Sequence, residues 1–310
     1  MPDVTLRHLV IKVDVPACGQ QNGHDRFDTI GLLIICMVVT YELQICERVV
    51  IDMPSERVVL ITGGSSGLGL ALAKYHIENG DIVVITGRSE SKLQKAKESL
   101  GLPAKLHLYP LGVQNNEDVR AFCAWVKIQF GRCDILYNNA GAATFKPLLE
   151  LTPQEIKEML QTNIDGVIFM TRAFLPMMTE QKTAHIVNIA SLAGRVATAK
   201  ASVYAASKAA MIRFSEGLRH EVPKHIHIMC VMPGPIDTPF LEQADNTGQY
   251  RNKVMNYLLS PEQVVKTIIR GIESGKWEVT LPGKLHLLSS LYQFLPQAIK
   301  QMVSPLMNRK

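Results

Sequence analysis

Tyr204 and Lys208 stand four residues apart in Tyr204-Ala205-Ala206-Ser207-Lys208, a spacing that sets both on one helix face, one turn apart. A phenol at its ordinary pKa of ~10 is a poor acid–base catalyst at neutral pH. A neighbouring ammonium favours the phenolate and brings that pKa toward the working range. Such pairs also arise by chance on helix surfaces, so the surroundings decide what this one means. Upstream, Ile186-Val187-Asn188-Ile189-Ala190-Ser191 reads as a buried strand ending in a hydroxyl residue, where open α/β sheets receive their ligands. Downstream, Pro233-Gly234-Pro235-Ile236-Asp237-Thr238 follows another strand and can wrap a bound ligand, and Asn138-Asn139-Ala140-Gly141 ends a further strand. These features converge on the carboxyl edge of one sheet.

A second cluster lies earlier, in Thr62-Gly63-Gly64-Ser65-Ser66-Gly67-Leu68-Gly69. Between a strand and a helix, glycines permit a tight turn, close approach of backbone to a pyrophosphate, and close helix–strand packing. The helix N-terminus then offers free N–H groups to the anion. Glycine clusters alone usually just make turns; the strand-before, helix-after placement points to a dinucleotide. A site for NAD carries an acid about 20 residues on, at the end of the second strand. Gly87 and Arg88 occupy that place, with Ser89 beside them. A guanidinium pairs with a 2′-phosphate that an acid would repel, so NADP(H) is the expected cofactor and NAD(H) the alternative, with Glu90 as the complicating neighbour.

The elements that would position these groups follow from a strand–helix rhythm. Strands are expected at Val58–Thr62, Asp81–Thr86, Leu106–Leu111, Ile135–Asn138, His185–Ala190 and His225–Met232. Helices are expected at Leu70–Asn79, Ser91–Leu100 and Asn116–Phe130. Near-continuous apolar strands separated by helices imply a parallel sheet covered on both faces, and right-handed crossovers make it doubly wound, a Rossmann-like α/β fold. The 310 residues carry 33 Lys+Arg against 28 Asp+Glu, a net +5 with the signs interspersed, which leaves no nucleic-acid footprint. Six scattered cysteines without a CxxC pair fit a reducing cytoplasm rather than a zinc ribbon. His225 and His227 alternate on a strand without an evident third ligand, so no metal is expected. Met170, Met177 and Met178 read as core filler.

Taken in order, Thr62…Gly63…Gly67…Gly69, Asn138–Gly141, Asn163, Ser191, Tyr204…Lys208 and Pro233-Gly234…Thr238 resemble the short-chain dehydrogenase/reductase family, in its short single-domain branch, over about residues 55–281. The resemblance implies a hydride-transferring oxidoreductase acting on a carbonyl or secondary alcohol. Tyr204 would be its general acid or base and Ser191 would hold the substrate oxygen. Lys208 would bind the nicotinamide ribose and lower the tyrosine pKa, while Asn163 would seat a water in the proton relay. The cofactor contacts it implies are Thr62, Gly63, Ser65, Ser66, Gly67, Leu68, Gly69, Arg88, Ser89, Val113, Asn139, Ala140, Gly141, Tyr204, Lys208, Pro233, Gly234, Ile236 and Thr238. One departure stands out: the family's Asp after the third strand, which contacts adenine, is replaced in Leu111-Gly112-Val113, and that contact is expected to be lost. A catalytically silent cofactor sensor or scaffold is the alternative on the same fold.

Specificity is expected in a lid over 239–260, with Phe240, Leu241, Met255, Tyr257, Leu258 and Leu259 as its apolar face and Gln249 and Asn252 as polar handles, which fits a hydrophobic substrate. Residues 1–54 read as an N-terminal extension, with Met53 as an alternative start. Residues 282–310 read as an amphipathic tail with interspersed basic residues that packs over the substrate mouth or a partner subunit, a membrane surface being the alternative, and its wording is similar to the member 7-like branch of dehydrogenase/reductases. The resemblance also implies a homodimer or homotetramer.

Overall fold

The computed structural model describes residues 56–245 and 247–283; the expectations for the N-terminal extension and for the tail from Lys284 onward lie outside the described residues. Seven strands form one parallel sheet: β1 (Val58–Thr62), β2 (Ile82–Gly87), β3 (Leu106–Pro110), β4 (Ile135–Asn138), β5 (Ala184–Ile189), β6 (Ile226–Pro233) and β7 (Glu278–Leu281). Their order is β3-β2-β1-β4-β5-β6-β7. The sequence reading contains six of these. The seventh escapes it because β7 has only four residues and lies at an edge, so its Glu-Val-Thr-Leu alternates instead of running apolar.

The helices are α1 (Gly67–Glu78), α2 (Glu90–Ser99), α3 (Asn116–Phe130), α4 (Pro153–Leu160), α5 (Gly166–Thr179), α6 (Ser202–Glu221), α7 (Pro239–Ala244), α8 (Gln249–Val254) and α9 (Pro261–Glu273). Two apolar layers sandwich the sheet. Leu72 of α1, Leu93 of α2 and Ile268 of α9 pack on one face. On the other lie Phe122 of α3, Leu218 of α6 and, from α5, Phe174 and the three expected core methionines, Met170, Met177 and Met178.

Helix starts follow local chemistry. Thr152 and Glu155 close a capping box with Pro153 at the first helical position, and Ser260, Gln263 and Pro261 repeat that device at α9. Asn115 accepts the Glu117 N–H at 2.9 Å to begin α3, and Gly131 ends it in the left-handed region at φ 68°. Elsewhere the boundaries move by one to three residues. α1 begins at Gly67 rather than Leu70, because the glycine loop itself supplies the first turn.

His185 and His227 are cross-strand partners on β5 and β6, their rings stacked at 5.0 Å. His225 instead places Nε2 3.2 Å from the Thr179 carbonyl oxygen, so the two alternating histidines have separate partners. Among the described residues no group of three His, Cys, Asp or Glu could hold a metal ion. His185 is 3% exposed with Nε2 unpaired. Burial first, then the charges of His227 and Arg57, lower its pKa from 6.5 to about 3. The unfolded chain therefore takes this proton near pH 6.5 while the folded one refuses it, so this contribution to stability is lost as pH falls below about 6.5. Urea melts between pH 6 and 4 should show a decline steeper by about 1 kcal/mol per pH unit in the wild type than in His185→Leu; equal slopes would remove His185 as the cause.

Candidate active site

β1 and β4 are neighbours whose following chains leave for opposite layers, which opens a crevice at their carboxyl ends. A cavity of about 850 Å³ occupies it. The glycine loop forms one wall. Gly63 and Gly67 have φ of +66° and +53°, a region that favours glycine. Gly69 is required for another reason: a Cβ there would stand 2.4 Å from the Gly63 carbonyl oxygen. Gly64, not singled out from the sequence, is equally constrained, with a Cβ falling 2.5 Å from that of Ile85. The Ser66 side chain makes no cap bond at the start of α1, so the first-turn N–H groups stay available at the cavity wall.

Thr62 does not line the cavity. It is 2% exposed, and its Oγ1 accepts the Asn139 N–H at 3.0 Å and the Ala140 N–H at 2.9 Å while donating to the Tyr137 carbonyl at 3.2 Å. Gly69 also lies behind the wall. Both were expected as direct cofactor contacts; they shape the loop instead. Ser65, Ser66, Leu68, Arg88, Ser89, Val113, Asn139, Ala140, Gly141, Pro233, Gly234, Ile236 and Thr238 do line the cavity, with Gly63 and Gly67.

The segment joining α4 to α5, Gln161–Asp165, is a π-helical turn, a widening that recurs at functional sites. It carries Asn163, fully buried, whose Oδ1 accepts the Ala142 N–H at 2.8 Å. Its Nδ2 donates to the Ala142 carbonyl and to Ser207 Oγ, each at 2.9 Å. Asn163 thus ties the loop after β4 to α6 from behind the cavity rather than lining it.

Tyr204, Lys208 and Ser191 converge at the cavity floor. Ser191 follows β5, accepts the Ala193 N–H at 3.1 Å, donates to the Pro233 carbonyl at 3.5 Å and lies near enough to the Tyr204 hydroxyl to act on its pKa. Lys208 Nζ donates to the Ile189 carbonyl at 2.8 Å and stands 5.9 Å from the centre of the Tyr204 ring. The surroundings of Tyr204 do not lower its pKa as expected. Burial pushes Tyr204 up to about 12, against the nearby Ser191 side chain, which lowers it. Lys208 is brought down to about 8, again by burial. Desolvation disfavours each charged form and outweighs their mutual help at this distance.

At the other end of the cavity, Arg88 Nη1 donates to Glu158 Oε1 of α4 at 2.7 Å, with side chains 69% and 40% exposed. Lys92 stands nearby in the lining. The space left by Gly112 is partly filled by a residue the sequence reading passed over. Gln114 Oε1 would lie 3.2 Å from a Cβ built on Gly112, and its Nε2 donates to Thr162 Oγ1 at 2.9 Å.

The lid is stapled at its base, where Asp237 N donates to the Leu259 carbonyl and Leu259 N to the Pro235 carbonyl, both at 2.9 Å. Only part of the expected lid face turns inward. Phe240 and Leu241 line the cavity, whereas Met255 and Tyr257 are exposed and Leu259 packs on the sheet core. The expected polar handles Gln249 and Asn252 are not in the lining; Gln243 and Tyr250 are. Asp245 is the reason, because its Oδ2 accepts the Tyr250 N–H at 2.7 Å and so sets the phase of α8.

The fold and this constellation place the chain in the short chain dehydrogenase family, whose pattern matches residues 57–249. The chain is 33% identical over 214 residues to an uncharacterized oxidoreductase of Staphylococcus haemolyticus, covering 69% of this chain and 89% of that protein. A similar oxidoreductase of Staphylococcus saprophyticus is 34% identical over 61% of this chain and 82% of its own. Among solved structures, a serine dehydrogenase in a closed form complexed with NADP+ superposes with a TM-score of 0.67 at 30% identity, covering 72% of this chain and 94% of that one. A Burkholderia phymatum family member in complex with NAD reaches 0.72 at 23% identity, covering 78% and 95%, and so shares the fold. The chain is therefore an oxidoreductase of this family. Among the described residues no helix is long and apolar enough to cross a membrane.

Thr62→Val keeps shape but leaves two part-buried N–H groups without their acceptor, at about 1–2 kcal/mol each, the lower part of the range for an unsatisfied donor. Urea unfolding should show a loss of about 2–4 kcal/mol, with Thr62→Ser near wild type; a Val variant as stable as the wild type would remove the joint role.

Proposed function

We propose that the chain is an NADP(H)-dependent oxidoreductase interconverting a ketone and a secondary alcohol on an apolar substrate, with Tyr204 as the proton donor and acceptor. The observation that carries this is the meeting of Tyr204, Ser191 and the buried Lys208, whose Nζ stands 5.9 Å from the Tyr204 ring centre, in the lining of one cavity on the carboxyl edge of the sheet. A scaffold has no use for this arrangement, because burying a lysine without a counter-ion is costly.

The residues present fit a dinucleotide. The glycine cradle at Gly63 and Gly67 and the N-terminus of α1 suit a pyrophosphate, Arg88 and Lys92 suit a 2′-phosphate, and Gly234 through Thr238 suit the nicotinamide end. Gln114 stands in for the missing aspartate: with Nε2 occupied by Thr162, its Oε1 is an acceptor suited to the adenine amino group. Bound there, the cofactor would supply the hydride. Ser191 then holds the substrate oxygen, Tyr204 delivers its phenolic proton to that oxygen in reduction or removes it in oxidation, and Lys208 stabilises the phenolate. Asn163 fixes the loop and helix between which the proton path runs.

The structurally similar serine dehydrogenase is complexed with NADP+, which agrees with the choice of Arg88. Its guanidinium must leave Glu158 to take a phosphate, so Glu158 opposes NADP(H) without affecting a cofactor lacking that group. Fluorescence titration should show Arg88→Ala weakening NADPH by about tenfold or more, the scale of a lost charge-assisted bond, with NADH little changed. Glu158→Gln should tighten NADPH two- to fivefold, as befits an exposed pair. A wild type that prefers NADH would overturn the assignment.

Between pH 6 and 10 Tyr204 keeps its proton while Lys208 loses its own near pH 8. Ketone reduction should therefore fall above about pH 8, and alcohol oxidation, which needs the phenolate, should rise with pH. Tyr204→Phe should lower turnover by about 10²–10⁴ with NADPH affinity kept within threefold; preserved turnover would refute the role. We extend the reading to a homodimer or homotetramer in a reducing cytoplasm, consistent with the free thiols of Cys123, Cys133 and Cys230.

A further inference from the structure

We infer that Phe145, Phe240 and Tyr250 form an aromatic subsite selecting flat, uncharged ring ketones or the corresponding alcohols, with Tyr250 as the orienting residue; this rests on Tyr204 being the proton donor. The three side chains come from separate segments and meet around Tyr204. The Phe145 ring stands edge-on to Tyr204 at 5.6 Å, and Phe240 is tilted against Tyr204 at 6.2 Å. Tyr250 packs on Phe145 at 4.7 Å. All four line the same cavity. A ring-bearing substrate whose carbonyl reaches Tyr204 must therefore lie among these faces, where aromatic pairs favour offset and edge geometries that an acyclic chain cannot use.

The subsite is held in place. Phe145 N donates to the Ala244 carbonyl at 2.8 Å, joining the loop after β4 to the lid helix α7. Asp245 fixes the backbone of Tyr250, and Arg251 of the same short helix is paired with Asp237 at 2.8 Å. These bonds also consume the nearby charges. Among the described residues lining the cavity, the charged side chains are Arg88 and Lys92 at the adenosine end and Lys208, which donates to the Ile189 carbonyl. Among the described residues lining the cavity, none beside Phe145 and Phe240 carries a charge that would pair with a substrate carboxylate or ammonium, and burying either charge unpaired is costly. The Tyr250 hydroxyl has no hydrogen-bond partner among the described residues, so it is free to take a polar group on the ring.

The test compares 1-tetralone with 2-decanone, of equal carbon number, and acetophenone with 4-acetylbenzoate, which adds only a carboxylate. Binding is measured by calorimetry on the full chain carrying Tyr204→Phe, with NADPH present, so the readout needs no turnover. At least tenfold tighter binding of tetralone over decanone, and of acetophenone over acetylbenzoate, is expected. Adding Tyr250→Ala should reduce the tetralone-to-decanone ratio below about threefold, and Phe240→Leu, which keeps apolar volume, should reduce it in the same sense. A ratio near one in the Tyr204→Phe parent, or a Tyr250→Ala effect equal for both ketones, overturns the subsite. Reduction of decanone by the wild type without any aromatic preference overturns the subsite and leaves the oxidoreductase reading standing. Preferential tetralone binding without turnover of any ketone supports the subsite and overturns the role given to Tyr204.

Discussion

The joint between the carboxyl ends of β1 and β4 is the contact on which the rest of the site depends. Two parallel strands lie side by side there, yet the chain beyond each departs to a different layer, and nothing in the sheet ladder itself keeps the two loops together. Thr62 Oγ1 does so by accepting two successive N–H groups from Asn139 and Ala140, and Asn139 Nδ2 returns a bond of 2.8 Å to the Thr62 carbonyl. This clasp brings the Ala140 backbone so near the glycine loop that a Cβ on Gly63 would meet Ala140 Cα at 3.0 Å. The crevice is thus narrow where backbone meets backbone and open above, the shape a pyrophosphate-binding wall requires.

A second layer of buried polar bonds aligns α6 with the sheet. Asn163 reaches Ser207, Ser207 Oγ donates to the Tyr204 carbonyl at 2.7 Å, and Asn188 Nδ2 donates to Ser215 at 2.9 Å. Lys208 closes the set through Ile189. These bonds orient one helix face and keep water out of it, and exclusion of water is what moves the two titrating groups in opposite directions. The phenol becomes a weaker acid and the ammonium a stronger one, so Tyr204 holds its proton at neutral pH. A donor that is protonated at neutral pH suits reduction without needing the tyrosine to be acidic beforehand.

Most of the architecture was legible because it rests on local rules. Val58–Thr62, Ile135–Asn138 and Asn116–Phe130 fall where apolar runs and caps put them, and the glycine loop declares the strand–turn–helix around it. The site residues nearest in sequence to those elements, such as Ser66, Ser191 and Lys208, were readable for the same reason. Thr62 and Gly69 were read as contacts because spacing reports that a residue is required, not whether it faces the ligand or supports the wall behind it.

Residue type and order along the chain thus determined the doubly wound sheet, the candidate site residues Ser191, Tyr204 and Lys208, and the family, since each depends on short-range spacing and on burial of apolar runs. Tertiary structure alone decided the rest. Glu158 meets Arg88 across 70 positions, Gln114 moves into the space that Gly112 vacates, and Tyr250 rather than Asn252 faces the cavity because Asp245 sets the turn before it. The pKa of Tyr204 was decided there too, since desolvation depends on everything packed around a group and no spacing in the sequence records it.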